Sequence, residues 1–293
     1  MEHKACQLLT DADVRNRLPT RPEDGHKGTF GHLLSVCGSY GMAGAAMFAA
    51  EAAYRCGTGL VTAAMPEKLY PLVTAAVPEA VCLPLSEDEA GGISATAWET
   101  LAMKLQKATA LLIGCGLGKG AGADVVLTNV LKTAACPVLV DADGLNLLSA
   151  HTDRVETGAP LCLTPHPAEA ARLLHTTTAA VEADRVGAAR ALSVQYGAVA
   201  VLKGHETLIA AAGMPTLQNR TGNDTLAKGG SGDLLAGMIA GFAAQGLPLY
   251  EAAACGVYLH ALAGERAGAR LSRRGALARD VLAELAHLLS EFE

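Results

Sequence analysis

Asp233 stands where a mostly polar stretch, Asn219 to Gly232, gives way to an apolar one, and Gly229, Gly230 and Gly232 come directly before it. Glycines ahead of a helix bring backbone N–H groups together, and the helix dipole at that end favours an anion. A carboxylate in such a loop has two readings. It caps the helix expected from Leu234 to Ala244, a role aspartate fills well, or it takes a proton beside a bound phosphoryl group. The loop alone leaves both open. No GxxxxGK[ST] occurs in the chain, so this is not a P-loop.

Four other stretches carry chemistry-bearing residues. Lys203, Gly204, His205, Glu206 and Thr207 interrupt an apolar run in "VLKGHETLIAAAG". They read as a hairpin turn, or as a strand-end lysine that meets a phosphate. In "LTPHPAEAARLL", Pro167 and Glu169 are first-turn helix residues and His166 sits at the cap. A histidine there points at a ligand or is simply solvated. Gly38, Gly41 and Gly44 follow a strand in "CGSYGMAGA", where they admit a ligand to the backbone or make a tight turn. Gly116-x-Gly118-x-x-Ala121 matches a loose dinucleotide fingerprint, and Asp141 ends the next strand in "PVLVDADGLNLL". An NAD-binding dehydrogenase is therefore one alternative.

Loops of this kind must be held by regular elements, and the pattern supplies them. Short apolar runs predict strands over Leu33 to Cys37, Leu60 to Ala64, Ala110 to Ile113, Val138 to Val140, Leu161 to Leu163, Ala198 to Leu202 and Thr207 to Ala211. Most are continuous rather than alternating, as in a parallel sheet covered on both faces. Helical spacing predicts helices over Ala43 to Arg55, Ala95 to Gln106, Ala123 to Thr133, Ala168 to Leu174, Ala179 to Tyr196, Leu234 to Ala244, Leu249 to Ala267 and Ala278 to Leu289. The alternation is that of βαβ units, so the expected fold is α/β: a mostly parallel central sheet with helices on both faces, in a single domain. Gly237 and Gly241 inside a helix each cost about 1 kcal/mol relative to alanine, which points to close packing on a neighbour. The expected organisation is a leader over 1–26 and one domain over 27–293. Glu87 to Gly92 reads as a surface loop, not a domain boundary.

Composition bounds the partners. The 293 residues carry a formal charge of −6, with basic residues scattered, so no nucleic-acid partner is expected. The eight cysteines include no CxxC pair and fall largely in apolar runs, which reads as reduced core thiols and a cytoplasmic location. The N-terminus lacks the apolar run of a signal peptide, and no window has the roughly 18 apolar residues of a membrane span, so no membrane partner is expected.

Taken together, "HKGTFGHLLSVCGSYGMAGA", "LLIGCGLG", "PVLVDADGLNLL", "LTPHPAEAARLL", "VLKGHETLI" and "NRTGNDTLAKGGSGDLLAGMIAG" resemble, in that order, the ADP- or ATP-dependent NAD(P)H-hydrate dehydratases, a family of ribokinase-like fold. The resemblance runs from about Gly25 to the C-terminus. It implies repair of the S epimer of hydrated NADH or NADPH: the nucleotide phosphorylates the hydrate's hydroxyl, phosphate leaves, and the dihydronicotinamide is restored, with AMP formed from ADP, or ADP from ATP. Residue by residue, it implies that Asp233 is the base and contacts the hydrate, that Ala43, Gly116 and His166 also contact the hydrate, and that Lys203, Gly204, His205, Glu206 and Thr207 with Gly232 hold the nucleotide. Gly230, Ser231 and Gly232 become the anion hole. A magnesium ion on the nucleotide's phosphates, a homotetramer, and a separate epimerase acting on the same metabolite are implied as well, because the leader is too short for the epimerase domain some relatives carry. ADP is favoured over ATP. Leu234 stands where many relatives have valine or threonine, a change facing the core.

Two rival functions share these loops. A vitamin-precursor kinase of the same fold would release a phosphorylated product and is not expected to carry "TPHPAE" and "KGHET" in this arrangement. A non-catalytic nucleotide sensor would bind without turnover.

Overall fold

Strands built wholly of apolar residues need cover on both faces, and two helical layers provide it. The computed structural model describes residues 6–151 and 157–292. In chain order the elements are β1 (Gln7–Leu8), α1 (Asp11–Arg15), β2 (His32–Val36), α2 (Ala43–Arg55), β3 (Leu60–Pro66), α3 (Tyr70–Ala76), β4 (Val81–Leu85), α4 (Ala97–Leu105), β5 (Ala110–Ile113), α5 (Ala121–Thr133), β6 (Val138–Val140), α6 (Asp143–Ala150), β7 (Leu161–Leu163), α7 (Pro167–Leu173), α8 (Thr178–Ala183), α9 (Arg185–Tyr196), β8 (Val199–Leu202), β9 (Leu208–Ala210), β10 (Leu217–Gln218), α10 (Ser231–Ala244), α11 (Leu249–Leu271) and α12 (Ala278–Leu289).

The strands form one sheet in the order β1-β10-β9-β8-β7-β6-β5-β2-β3-β4. It is parallel from β8 to β4, while β9 runs antiparallel to both β8 and β10. One core packs α2, α10, α11 and α12 on one face, and the other packs α4, α5, α6, α7 and α9 on the opposite face. From β2 the chain steps outward to β3 and β4, and from β5 it steps the other way to β6, β7 and β8. The order therefore reverses between neighbouring β2 and β5. Loops diverging at such a reversal leave a crevice at the strands' carboxyl ends.

Helix α10 is apolar nearly all round and its residues from Leu234 to Ala244 are buried. Its glycines let it lie on α2. A Cβ on Gly237 would stand 2.3 Å from the Ala49 carbonyl oxygen, and one on Gly241 2.9 Å from the Ala53 Cα. Four residues along α10 match four along α2, so the two helices run parallel and their N-termini open at the same end.

Three departures from the sequence pattern have local causes. The helix expected from Ala179 to Tyr196 is broken at Asp184, whose carboxylate accepts from the Gly187 N–H at 2.8 Å and starts α9 afresh. Strand β4 is apolar but is an edge strand with exposed positions, and Pro84 within it marks a run that sequence reasoning does not take for a strand. The expected leader joins the fold over its described part, since β1 pairs with β10 and Val14 of α1 is buried. The Glu87 to Gly92 loop closes on itself through the Asp88 N–H to the Gly92 carbonyl and the Gly92 N–H to the Asp88 carboxylate, both 2.9 Å.

Candidate active site

Asp233 is not the cap of its helix. Gly230, with φ of +90°, is the N-cap, and Ser231, Gly232 and Asp233 make up the first turn. A side chain at Gly230 would be strained by that φ and would meet the Phe48 ring at 2.7 Å. The left-handed glycine thus starts the helix three residues before the expected Leu234, with Asp233 in its first turn. Burial first, and then the charge of Asp141, push Asp233 up to about 6, against the pull of Lys203 and Cys115.

Asp141 follows β6 and is 1% exposed. Its Oδ1 accepts from Lys203 Nζ and from Thr164 Oγ1, each at 2.7 Å, and its Oδ2 accepts from the Cys115 thiol at 3.6 Å. The turn that presents it is tight. Ala142 has φ of +48°, and Gly114, with φ of +127°, packs so closely that a Cβ would stand 2.0 Å from the Asp141 carbonyl oxygen. Strained backbone of this kind persists where the surroundings over-determine it.

Lys203 follows β8. Burial pulls its ammonium down, but the carboxylates of Asp141 and Glu169 together push it up, so it is charged. Glu169 Oε2 lies 4.0 Å from it. A Cβ on Gly232 would lie 3.7 Å from the same ammonium, which sets the first turn of α10 and the lysine around one space. Ser231 Oγ bonds His260 Nε2 of α11 at 3.2 Å, and burial draws His260 down to about 4, so the ring is neutral.

His166 is the N-cap of α7. Its Nδ1 accepts from the Ala168 and Glu169 N–H groups, and the Glu169 carboxylate accepts from the His166 N–H at 2.8 Å. Acceptance at Nδ1 makes the ring a neutral imidazole with its proton on Nε2, and burial, then Lys203, lower its basicity. Ala43 opens α2, and Gly116, with φ of +60°, lies against it: a Cβ there would stand 2.9 Å from Met42 Cβ and Ala45 Cβ. The loops after β2 and β5 are tied by the Gly38 N–H to the Cys115 carbonyl and by Ser39 Oγ to the Gly116 carbonyl, both 2.8 Å. Ala43 and Gly116 thus sit at the reversal in strand order.

The turn from Gly204 to Thr207 is held from both sides. Arg185 donates to the Leu202 and Lys203 carbonyls, and Glu206, with φ of +58°, accepts from Gln218 at 2.7 Å. A cavity of about 370 Å³ opens here, lined by Glu182, Arg185, Gly204, His205, Glu206 and Gln218. Lys203, Gly232 and Asp233 therefore converge, His166 joins them through Glu169, and His205 and Glu206 face the cavity toward α8 and α9.

Three members of the cluster are absent from the sequence-level assignment. Asp141 is visible there as an acid ending an apolar strand, but its Oδ1 is occupied by Lys203 and Thr164, so it is not the ribose ligand of a dehydrogenase. Thr164 and Cys115 carry no local signal; adjacency of β5, β6 and β7 brings them to Asp141.

The sequence model of a family described as NAD(P)H-hydrate dehydratase matches residues 33–287. The chain is 44% identical over 269 residues to the ADP-dependent (S)-NAD(P)H-hydrate dehydratase of Neisseria meningitidis serogroup B, covering 90% of this chain and 86% of that one. It is 42% identical over 294 residues to the bifunctional NAD(P)H-hydrate repair enzyme Nnr of Moorella thermoacetica, covering 100% of this chain and 55% of that one. The chain thus spans about half the length of that bifunctional relative. A crystal structure of the ADP/ATP-dependent NAD(P)H-hydrate dehydratase of Bacillus subtilis, co-crystallized with ATP and Mg2+, superposes with a TM-score of 0.85 at 32% identity, covering 99% of this chain and 100% of that one.

Proposed function

The chain belongs to the NAD(P)H-hydrate dehydratase family, and on that premise we propose that it dehydrates the S epimer of hydrated NADH or NADPH at the expense of ADP. Its fold is ribokinase-like. One observation carries the reading: Asp233, a buried acid held near neutrality, projects from a helix terminus whose glycine N–H groups and facing Lys203 suit a phosphoryl group.

The chemistry follows from that juxtaposition. Hydroxide is a poor leaving group and phosphate a good one. Asp233 takes the proton of the hydrate's hydroxyl, whose oxygen attacks the terminal phosphorus of the nucleotide. The P–O bond to the nucleotide breaks and AMP departs; the C–O bond of the new phosphate ester then breaks with loss of phosphate, and a proton leaves the adjacent ring carbon to the departing phosphate or to solvent water, which restores the ring double bond. The N–H groups of Gly230, Ser231 and Gly232 meet the negative charge carried by the transferring oxygens. Lys203 adds a point charge on the same side. Gly204, His205, Glu206 and Thr207 hold the AMP portion, while Ala43, Gly116 and His166 contact the hydrate at the crevice between β2 and β5.

Magnesium belongs with the nucleotide in this scheme. Cys115, Asp141 and Asp233 offer ligand atoms within 4.8 Å of one another, but a thiol does not suit a hard cation and Asp141 already holds Lys203. This set does not make a protein cage for magnesium. Magnesium would come with the nucleotide and would offset charge on its phosphates, a task that Lys203 and the first-turn N–H groups of α10 would share.

A separate epimerase supplying the S epimer, a cytoplasmic setting and a homotetramer complete the proposal. Eight free thiols support a reducing compartment, and among the described residues no helix is long and apolar enough to cross a membrane. Sedimentation of the purified chain tests the tetramer. The activity is tested by incubating the chain with ADP or ATP and hydrated NADH. Recovery of the dihydronicotinamide absorbance with release of phosphate is expected. A folded chain giving no recovery with either nucleotide, or accumulating a phosphorylated product, overturns the reading.

A further inference from the structure

Lys228 stands two residues before the N-cap glycine of α10 and has no part in the scheme above. Its ammonium reaches the connection between α11 and α12, where it donates to the Arg274 carbonyl at 2.7 Å, to the Arg273 carbonyl at 3.3 Å and to the Ala276 carbonyl. An ammonium has three donors and no acceptor, and three carbonyls receive them. These carbonyls lie past the end of α11, and a charged donor bonds them more strongly than a neutral one would. The segment ahead of Lys228 is laid on α11 as well. The Gly222 N–H donates to Glu265 at 2.8 Å, and a Cβ on Gly264 or Gly268 would stand 2.6 Å from Leu226 or 2.2 Å from Thr225. Arg273 also pairs with Asp224 at 3.0 Å, but both side chains are largely exposed, so that pair contributes little. Lys228 is the last side chain before the glycine turn. A Cβ on Gly229 would meet nothing within 4 Å, and one on Gly230 would stand 3.3 Å from Ala278 Cβ, where the same connection enters α12. Glycines have the most backbone freedom to lose, so a turn made of them needs holding from outside.

We infer that Lys228 is a positioning residue for phosphoryl transfer: its ammonium, seated on the carbonyls of Arg273, Arg274 and Ala276, fixes the glycine turn and with it the first-turn N–H groups of α10. The inference rests on the reading that these N–H groups face the transferring phosphoryl group. Such donors work by being in place before charge develops, and a displacement of about 1 Å can cost on the order of a hundredfold in rate. The nucleotide's other contacts are held elsewhere, since Lys203 and the turn from Gly204 to Thr207 follow β8 and are tied to Asp141 and Arg185. Loss of the Lys228 anchor therefore falls on kcat and leaves KM for ADP close to the wild-type value.

The test compares wild type, Lys228→Ala and Arg266→Ala, with kcat, KM for ADP and melting temperature read for each. Lys228→Ala lowers kcat by about 10- to 100-fold and keeps KM for ADP within about twofold of wild type. Ammonium chloride restores part of that kcat, because an ammonium ion can donate to the same three carbonyls. Tetramethylammonium chloride at the same ionic strength has no N–H to donate and restores none. Arg266→Ala, which unties α11 from Glu291, lowers the melting temperature and leaves kcat at the wild-type value. A Lys228→Ala kcat equal to wild type, or a loss that ammonium does not restore, overturns the inference and leaves the dehydratase reading in place. Restoration by both salts alike also overturns it, since ionic strength and not the carbonyl seat is then at work. A wild-type chain without turnover overturns the dehydratase reading and the inference with it. Should Lys228→Ala not fold, Lys228→Gln, which keeps a neutral donor on a shorter stem, is read instead. A lowered kcat with KM for ADP held supports the inference, and a wild-type kcat overturns it.

Discussion

Lys203 Nζ lies 2.7 Å from Asp141 Oδ1, and the same ammonium faces Gly232 at the start of α10. One cation thus neutralises a buried acid and stands at a helix N-terminus. The two tasks separate on mutation. Lys203→Met leaves Asp141 buried without its cation, which costs about 3–5 kcal/mol for a pair of this kind, read as a lower denaturation midpoint in urea. The double variant Lys203→Met with Asp141→Asn recovers much of that loss, while its KM for ADP stays elevated.

Asp233→Asn preserves the shape of the first turn and removes the proton acceptor. Turnover falls at least about a hundredfold, since general-base catalysis contributes about 10²–10⁴. Calorimetric affinity for ADP is unchanged or improved, because a charge facing the phosphates is gone. Loss of nucleotide affinity in step with turnover would place Asp233 in binding rather than in proton transfer.

Much of this arrangement is legible before any coordinates. The strands β5, β6 and β7 match their apolar runs residue for residue because they are buried on both faces, and Gly237 and Gly241 announce the α10–α2 contact. What is local in sequence is also legible: Gly230, Gly232, Asp233 and Lys203 lie in stretches whose composition departs from their flanks. Two kinds of feature are hidden. Asp184 divides a helix with a single hydrogen bond inside an otherwise helical pattern. The Cys115–Asp141–Thr164 contacts depend on which strands are neighbours, and strand order has no imprint on spacing along the chain. The helix start at Gly230 is intermediate, since a glycine before a helix signals a turn but not which residue caps it.

Activity and stability should respond to pH in opposite senses through the same group. Asp233 is raised from its ordinary value of 3.8 to about 6, so turnover rises as pH climbs through about 6 and the carboxylate ionises. The folded state holds that proton more tightly than the unfolded chain. Its contribution to stability is therefore full below the ordinary carboxylate range and is lost as pH rises through about 6. Denaturation midpoints of wild type and Asp233→Asn measured from pH 4 to 8 should diverge with rising pH, the asparagine variant becoming the more stable of the two above about 6. Parallel curves would show that Asp233 ionises at its ordinary value.

Gly237 links packing to the site. A methyl group there would stand 2.3 Å from the Ala49 carbonyl oxygen, far inside contact distance, and the obstacle is backbone rather than a movable side chain. Gly237→Ala must therefore push α10 off α2, with an overpacking cost of about 1–3 kcal/mol that outweighs the gain in helix propensity. Because the two helices are parallel, the displacement carries to both N-termini, that of α10 with Asp233 in its first turn and that of α2 at Ala43. The expected result is a lower melting temperature together with a reduced kcat/KM for the hydrate. Gly246→Ala, where φ is +97° and no atom stands within 4 Å of the added methyl group, also destabilises, by backbone strain at the other end of α10, but leaves kcat/KM at the wild-type value. If both variants lose kcat/KM in proportion to their melting temperatures, the α10–α2 contact acts on stability alone and does not set the spacing of the site.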